Sequence, residues 1–162
     1  MINDIQALGA PGAIETVAAS RCAVCLMHMK GEPATMQQAP RYHDVVREVR
    51  AFLKEAARKA MFAGIGVDRI VVDPGFGFGK SAEHNLTLLR NLEKISDLPI
   101  MAGLSRKSTV GKLTGRPVDQ RLAGSLAMAL LALERGARIL RVHDVKETRD
   151  VIAVWQAYKN DA

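Results

Sequence analysis

Short apolar runs alternate along this chain with longer stretches whose apolar residues recur at helical spacing, and that alternation limits the possible folds more than any other feature. Runs at 23–27, 69–72, 100–104 and 139–142 read as buried strands, and 2–5 reads as the end of another. Each is followed by a loop and then a helical stretch. Such a repeat requires parallel strands, because the helix must return the chain to the starting end of the sheet. The class is therefore α/β, with two architectures open, a doubly wound sheet or a (β/α)8 barrel. All five runs end in polar residues: Asn3-Asp4, His28, Asp73, Ser105-Arg106-Lys107 and Arg141-Val142-His143-Asp144. A barrel brings such ends to one mouth, which favours it.

The helical stretches carry their own signals. One spans 11–19 with Ile14 and Val17 inward, and another about 42–63 with Val45, Val49, Phe52, Leu53, Ala56 and Ala60 on one face and Gly64 after its end. Ser81 is placed to cap the helix carrying Leu86, Leu89 and Leu92. Asp119 is placed to cap the one carrying Leu122, Leu126, Ala129, Leu130 and Leu133, which stops at Gly136. The last, from near Glu147, buries Val151, Ile152, Trp155 and Tyr158. No linker, repeat or low-complexity tract interrupts the series, so residues 1–162 read as one partial domain.

Composition excludes some partners. The chain has 162 residues, a net charge of +6 and a pI near 9.6. Much of the positive charge sits on Arg47, Arg50, Lys54, Arg58 and Lys59, interleaved with Glu48 and Glu55 as on a solvated helix face. Aromatic residues make up only 4%, too few for base-stacking platforms, and nucleic acid is set aside as a partner. The most apolar run, 122–133, has 12 residues and is too short to cross a bilayer, so no membrane association is expected. Residues 1–10 lack the features of a secretory leader, and a cytoplasmic location follows as the default. Cys22 and Cys25, with His28 three residues on, have the spacing of a redox or metal motif. They fall on a strand rather than a helix start and have no second cysteine pair, which makes them reduced structural cysteines, buried with the strand.

The most informative segment is Asp73-Pro-Gly-Phe-Gly-Phe-Gly-Lys80. Gly75 and Gly79 have three residues between them where a phosphate-binding P-loop needs four, and the strict alternation of its glycines departs from the dinucleotide fingerprint. Two roles remain for these glycines, turn geometry and close approach of backbone to a ligand. Asp73 is a cap, a turn residue or a ligand group. As a carboxylate facing a mouth, it would accept two parallel hydrogen bonds from a ring with adjacent N–H and NH2 donors, such as a pterin or guanine edge. Asn3 would complement the same ring or serve a turn. Arg141 and His143, two apart on a strand, project to one side as an anion clamp, the alternative being an ion pair with Asp144. Lys107 would reach a ring acceptor while lying against an aromatic ligand, and Ser105 would contact a carboxylate. Met27 is either core or a flexible floor under a flat ring.

Taken together, Ile2-Asn-Asp-Ile5, Cys25-Leu-Met-His-Met29, Asp73-Pro-Gly-Phe-Gly-Phe-Gly-Lys80, Ser105-Arg-Lys-Ser108 and Arg141-Val-His-Asp144 resemble the dihydropteroate synthases, in order and over all 162 residues. The resemblance implies a partial (β/α)8 TIM barrel, strands 4 to 8 with their helices, the first three strands being absent. It implies a transferase of folate biosynthesis and a sulfonamide target, which joins p-aminobenzoate to 6-hydroxymethyl-7,8-dihydropterin pyrophosphate and releases pyrophosphate. By that resemblance Asn3, Met27, Asp73 and Lys107 bind the pterin, while Arg141 and His143 hold the pyrophosphate. Ser105, Lys107, Phe76, Gly77 and Phe78 belong to the p-aminobenzoate side or to loops that shape it. Asp73, Lys107, Arg141 and His143 are then the catalytic set. The resemblance also implies Mg2+, with its protein ligand in the absent strands, small-molecule substrates and a homodimer. A chain without those strands is expected to be weak or inactive alone and to associate through an exposed sheet edge. The alternative is a non-catalytic pterin-binding or regulatory relic of the same barrel.

Overall fold

A computed structural model describes residues 1–32 and 35–160. Among these, five strands form one sheet: β1 (Ile2–Asp4), β2 (Val24–Met27), β3 (Ile70–Asp73), β4 (Ile100–Ala102) and β5 (Ala137–Leu140). The helices are α1 (Ala13–Ala19), α2 (Val45–Phe62), α3 (Ala82–Arg90), α4 (Ser108–Thr114), α5 (Leu122–Glu134) and α6 (Val145–Asn160). Every strand pairing is parallel, and the spatial order follows the chain order from β1 to β5. A doubly wound sheet would reverse its order at a switch point. This one never does, so the chain winds in one direction, as the wall of a barrel does.

The two faces of the sheet differ accordingly. Val24, Leu26, Ile70, Val72, Ile100 and Ala102 belong to the large apolar clusters that also hold the buried sides of the helices. The alternate residues Cys25, Val71 and Met101, with Ile139 against them, form a separate small cluster on the other face. Period-two alternation thus sends one set outward to the helices and the other toward the lumen.

Local sequence explains most boundaries. Asp44 caps α2 by accepting from the Val46 and Arg47 N–H groups at 3.0 and 3.1 Å, and Val45, Val49, Leu53, Ala57 and Ala60 are its buried stripe. The basic residues on its outer face pair locally, Arg58 with Glu55 and Arg47 with Asp44. Ser81 caps α3 in a reciprocal box with His84. No helix among the described residues is long and apolar enough to cross a membrane.

Several expectations are corrected. Asp119 lies in a short 3-10 turn, Val118–Gln120, and α5 begins after Arg121 with no side-chain cap. Its buried face is Ser125, Met128, Ala129, Ala132 and Leu133, leaving Leu122 and Leu130 exposed. A stretch apolar on almost every side has no periodicity from which to choose a face. Phe52 sits at the edge of the α2 stripe and Tyr158 in the last turn of α6, both exposed. Cys22 is exposed, and only Cys25 is buried. The helix α4 was not anticipated, since Ser, Thr, Val and Gly are weak helix formers and its buried Thr109 and Val110 are held by packing. Finally, β4 and β5 end two residues earlier than expected, which puts Leu104, Arg141 and Val142 in loops.

These contrasts predict that Ser81→Ala lowers the unfolding free energy by about 1 kcal/mol while Asp119→Ala changes it by less than about 0.5 kcal/mol. Urea titration of both variants checks this, and equal effects would contradict the assignment of the caps.

Candidate functional site

One step toward the carboxyl ends from the lumenal cluster of Cys25, Val71, Met101 and Ile139 lie Met27, Asp73, Gly103 and Arg141, each two residues further on. Met27 is fully buried and in register with Asp73. The Asp73 side chain has 0% exposure. Its Oδ1 accepts the Gly75 N–H at 2.7 Å, whereas Oδ2 accepts no hydrogen bond from any described residue. The nearest cation, Nη2 of Arg141, stands 3.5 Å from Oδ2. Burial pushes the Asp73 carboxyl above the usual carboxylate range, against the lowering effects of the Gly75 N–H and of Arg141, Lys107 and Lys80. The result is a strand-end acid with one oxygen kept free.

Arg141 reaches that oxygen because of Gly103. A Cβ on Gly103 would lie 2.9 Å from Nη2 of Arg141, so a side chain there would push the guanidinium from its place across the end of β4. His143 is exposed, and its Nδ1 is 3.0 Å from the Ser105 Oγ. Arg141 and His143 are therefore separated in role as the structure stands: one lies against Asp73, and the other is held by a buried serine. Ser105, whose hydroxyl or backbone is expected to contact a ligand carboxylate, has its hydroxyl engaged with His143 in this structure. Asp144 pairs with Arg106, its Oδ2 taking the Nε–H at 3.0 Å, so it is not the partner of Arg141 or His143.

Lys107 enters from the loop after β4. Its ammonium donates to the Phe76 carbonyl and lies 4.5 Å from the centre of the Phe78 ring. Its stem crosses Gly77, where a Cβ would come within 3.3 Å of the lysine Cδ. Burial brings the Lys107 amine down to about 8, Asp73 opposing the shift and Arg141 adding to it. The Phe76 ring is core, 1% exposed among Leu88, Val110 and their neighbours, so only its backbone faces the site. Phe78 and Gly77 are half-buried.

Asn3 is exposed on β1 and in register with Cys25, which places it on the lumenal side at the sheet edge. Two contributors escaped the sequence reading. Gly103 was visible only as a glycine before a basic loop. Lys80, 2% exposed, was visible only as a lysine closing an apolar segment. Among the described residues no three His, Cys, Asp or Glu side chains converge on a common point.

A free carboxylate oxygen lies beside two cations and a flexible thioether at the carboxyl ends of parallel strands wound in one direction, the place where β/α barrels carry their sites. The family described as pterin binding enzyme matches residues 1–143, and the chain belongs to it. It is 50% identical to the dihydropteroate synthase of Haemophilus influenzae over 162 residues, 99% of this chain and 59% of that protein. It is also similar to the solved dihydropteroate synthase of Xanthomonas albilineans in complex with 7,8-dihydropteroate, with a TM-score of 0.91, 51% identity, and coverage of 98% of this chain and 60% of that one. The Yersinia pestis dihydropteroate synthase, solved with a sulfonamide drug, has a TM-score of 0.96 at 43% identity, covering 99% of this chain and 60% of that one. The fold is thus α/β, an arc of a TIM barrel, and the chain spans about three-fifths of the length of these relatives.

Gly103→Ala is predicted to displace Arg141 and weaken binding of inorganic pyrophosphate about tenfold, with the unfolding midpoint nearly unchanged. Calorimetry on both forms checks it, and equal affinities would remove Gly103 from the site.

Proposed function

We propose that this chain carries the pterin-recognising and pyrophosphate-holding side of a dihydropteroate synthase, the enzyme that condenses 6-hydroxymethyl-7,8-dihydropterin pyrophosphate with p-aminobenzoate to give dihydropteroate and pyrophosphate. The observation that carries the reading is the free Oδ2 of Asp73. A buried acceptor without a donor costs about 1–3 kcal/mol, and a pterin edge with adjacent N–H and NH2 donors would recover that cost on binding.

In this reading Asp73 orients the ring, Met27 lies against one face, Asn3 serves its outer edge, and Lys107 contacts both substrates. The proximity of Lys107 to Asp73 supports its place over the ring, and its position over Phe78 supports a second contact on the arylamine side. Arg141 would swing from Asp73 to the departing pyrophosphate, with His143 adding a donor when it lets go of Ser105. The carbon–oxygen bond to pyrophosphate breaks while the uncharged arylamine nitrogen forms the new bond to the methylene carbon and then loses a proton. No covalent enzyme intermediate is required. The Mg2+ expected by resemblance would offset charge on the diphosphate, its protein ligand being expected in the strands that precede β1 in the barrel.

Asp73→Asn separates recognition from folding. It keeps the shape but halves the acceptor capacity and removes the charge, so affinity for 6-hydroxymethylpterin is expected to fall on the order of 100-fold, about 3 kcal/mol for two charge-assisted hydrogen bonds. Because burial raises the Asp73 pKa, the ionised group weakens the fold at neutral pH, and the variant is expected to melt at or above the wild-type temperature. Undiminished affinity in calorimetry would reject the role of Asp73. Incubation with both substrates tests the transferase reaction, and ring binding without product would leave a pterin-binding protein without that activity.

A further inference from the structure

Gly75, Gly77 and Gly79 have φ angles of +68°, +80° and +63°, so the loop after Asp73 reverses its peptide planes at every second residue. Its carbonyls consequently point to different sides. Gly75 O and Phe78 O turn back to Nζ of Lys80, at 2.9 and 3.0 Å, and Phe76 O turns forward to Lys107. Lys80 also meets Nδ1 of His28 at 2.9 Å and the His28 carbonyl at 3.4 Å. The loop is pressed onto the segment after β2, where a Cβ at Gly75 or Gly79 would collide with the His28 or Lys30 carbonyl.

All four contacts of the Lys80 ammonium are neutral, and the group is 2% exposed. Burial brings the Lys80 amine down to about 7, Asp73 opposing the shift and Lys107 adding to it, so holding it charged behind the loop costs free energy. A lysine ammonium only donates, so Nδ1 of His28 accepts and the ring is neutral with its proton on Nε2. Burial and the Lys80 charge hold that ring down to about 3, which keeps the acceptor available.

We propose that Lys80 is a positioning residue for the site: by drawing the Gly75 and Phe78 carbonyls and the His28 ring to one ammonium behind the loop, it sets the orientation of the Phe76–Gly77 peptide that seats Lys107 beside Asp73. Lys80 makes no hydrogen bond to Asp73. It acts through the loop: Lys80 takes the Gly75 and Phe78 carbonyls and Lys107 the Phe76 carbonyl, while Gln37 donates to the Gly77 carbonyl and Asn85 accepts the Gly77 N–H. The proposal deepens the pterin reading and rests on it only for the ligand measurement.

The test uses the 162-residue chain uniformly labelled with 15N and 13C for NMR, as wild type, Lys80→Met and Lys80→Arg. In Lys80→Met the titration midpoint of Lys107 is expected to rise by at least about half a unit, from loss of the Lys80 charge and from loosening of the loop, with the charge-retaining Lys80→Arg isolating the loop's share, and affinity for 6-hydroxymethylpterin to fall about tenfold. Lys80→Arg restores part of both. A folded Lys80→Met with reduced melting temperature but unchanged Lys107 midpoint and pterin affinity would overturn the proposal, leaving Lys80 as a structural tie. Should neither variant fold, the wild type decides, because the Gly77 amide resonance must move with the titration of the Lys80 ammonium. The Asp73, His28 and Lys107 resonances are followed alongside it. A Gly77 amide indifferent to Lys80 overturns the proposal. Wild type that binds no pterin would remove the pterin reading alone, since the Lys107 and Gly77 resonances still report on Lys80.

Discussion

The buried carboxylate of Asp73 is the constraint around which the site is built. One of its oxygens is satisfied by the Gly75 N–H, and the other faces Arg141 at 3.5 Å without a hydrogen bond. A group buried in that condition weakens the fold, and its raised pKa expresses the same cost. Such compromises persist where binding recovers what folding gave up. The neighbouring features follow from that need. Gly103 clears a path for Arg141, Lys107 brings a second cation with its charge partly suppressed by burial, and Met27 closes one side.

The fold supplies the placement. Parallel strands in sequential order send every carboxyl end the same way, and period-two alternation stacks the lumenal residues in layers. Asp73 is lumenal because Val71 is, and Arg141 continues the column below it at Ile139 although β5 has already ended at Leu140. The helices bury the opposite face and stay out of the site, apart from the short α4, which begins immediately after Lys107. Asn85 of α3 ties the glycine loop to that region, accepting the Gly77 N–H at 2.9 Å and donating to Thr109 at 2.9 Å.

Much of this was legible in the residues. The strand-and-helix alternation, the polar strand ends and the capping serine at 81 each have a local cause, and each is found in the structure. Less was legible where the cause lies between elements. The all-apolar 122–133 segment could not show its buried face, and α4 has little helical propensity of its own. The separate engagements of Arg141 with Asp73 and His143 with Ser105 are made from the loop that follows the end of β5 at Leu140, an end that the apolar run 139–142 did not mark. Lys80 is the plainest case. Nothing in a glycine-rich run ending in lysine says that the amine turns back into its own loop, because that depends on three backbone reversals and on a histidine 52 residues away.

The most direct measurement of the central claim is a crystal structure of the chain with 6-hydroxymethylpterin bound. Oδ2 of Asp73 is expected within hydrogen-bonding distance of a ring N–H or NH2 group, with Arg141 moved away from the carboxylate. A pterin bound elsewhere, or Asp73 still facing only Arg141 in the complex, would contradict it.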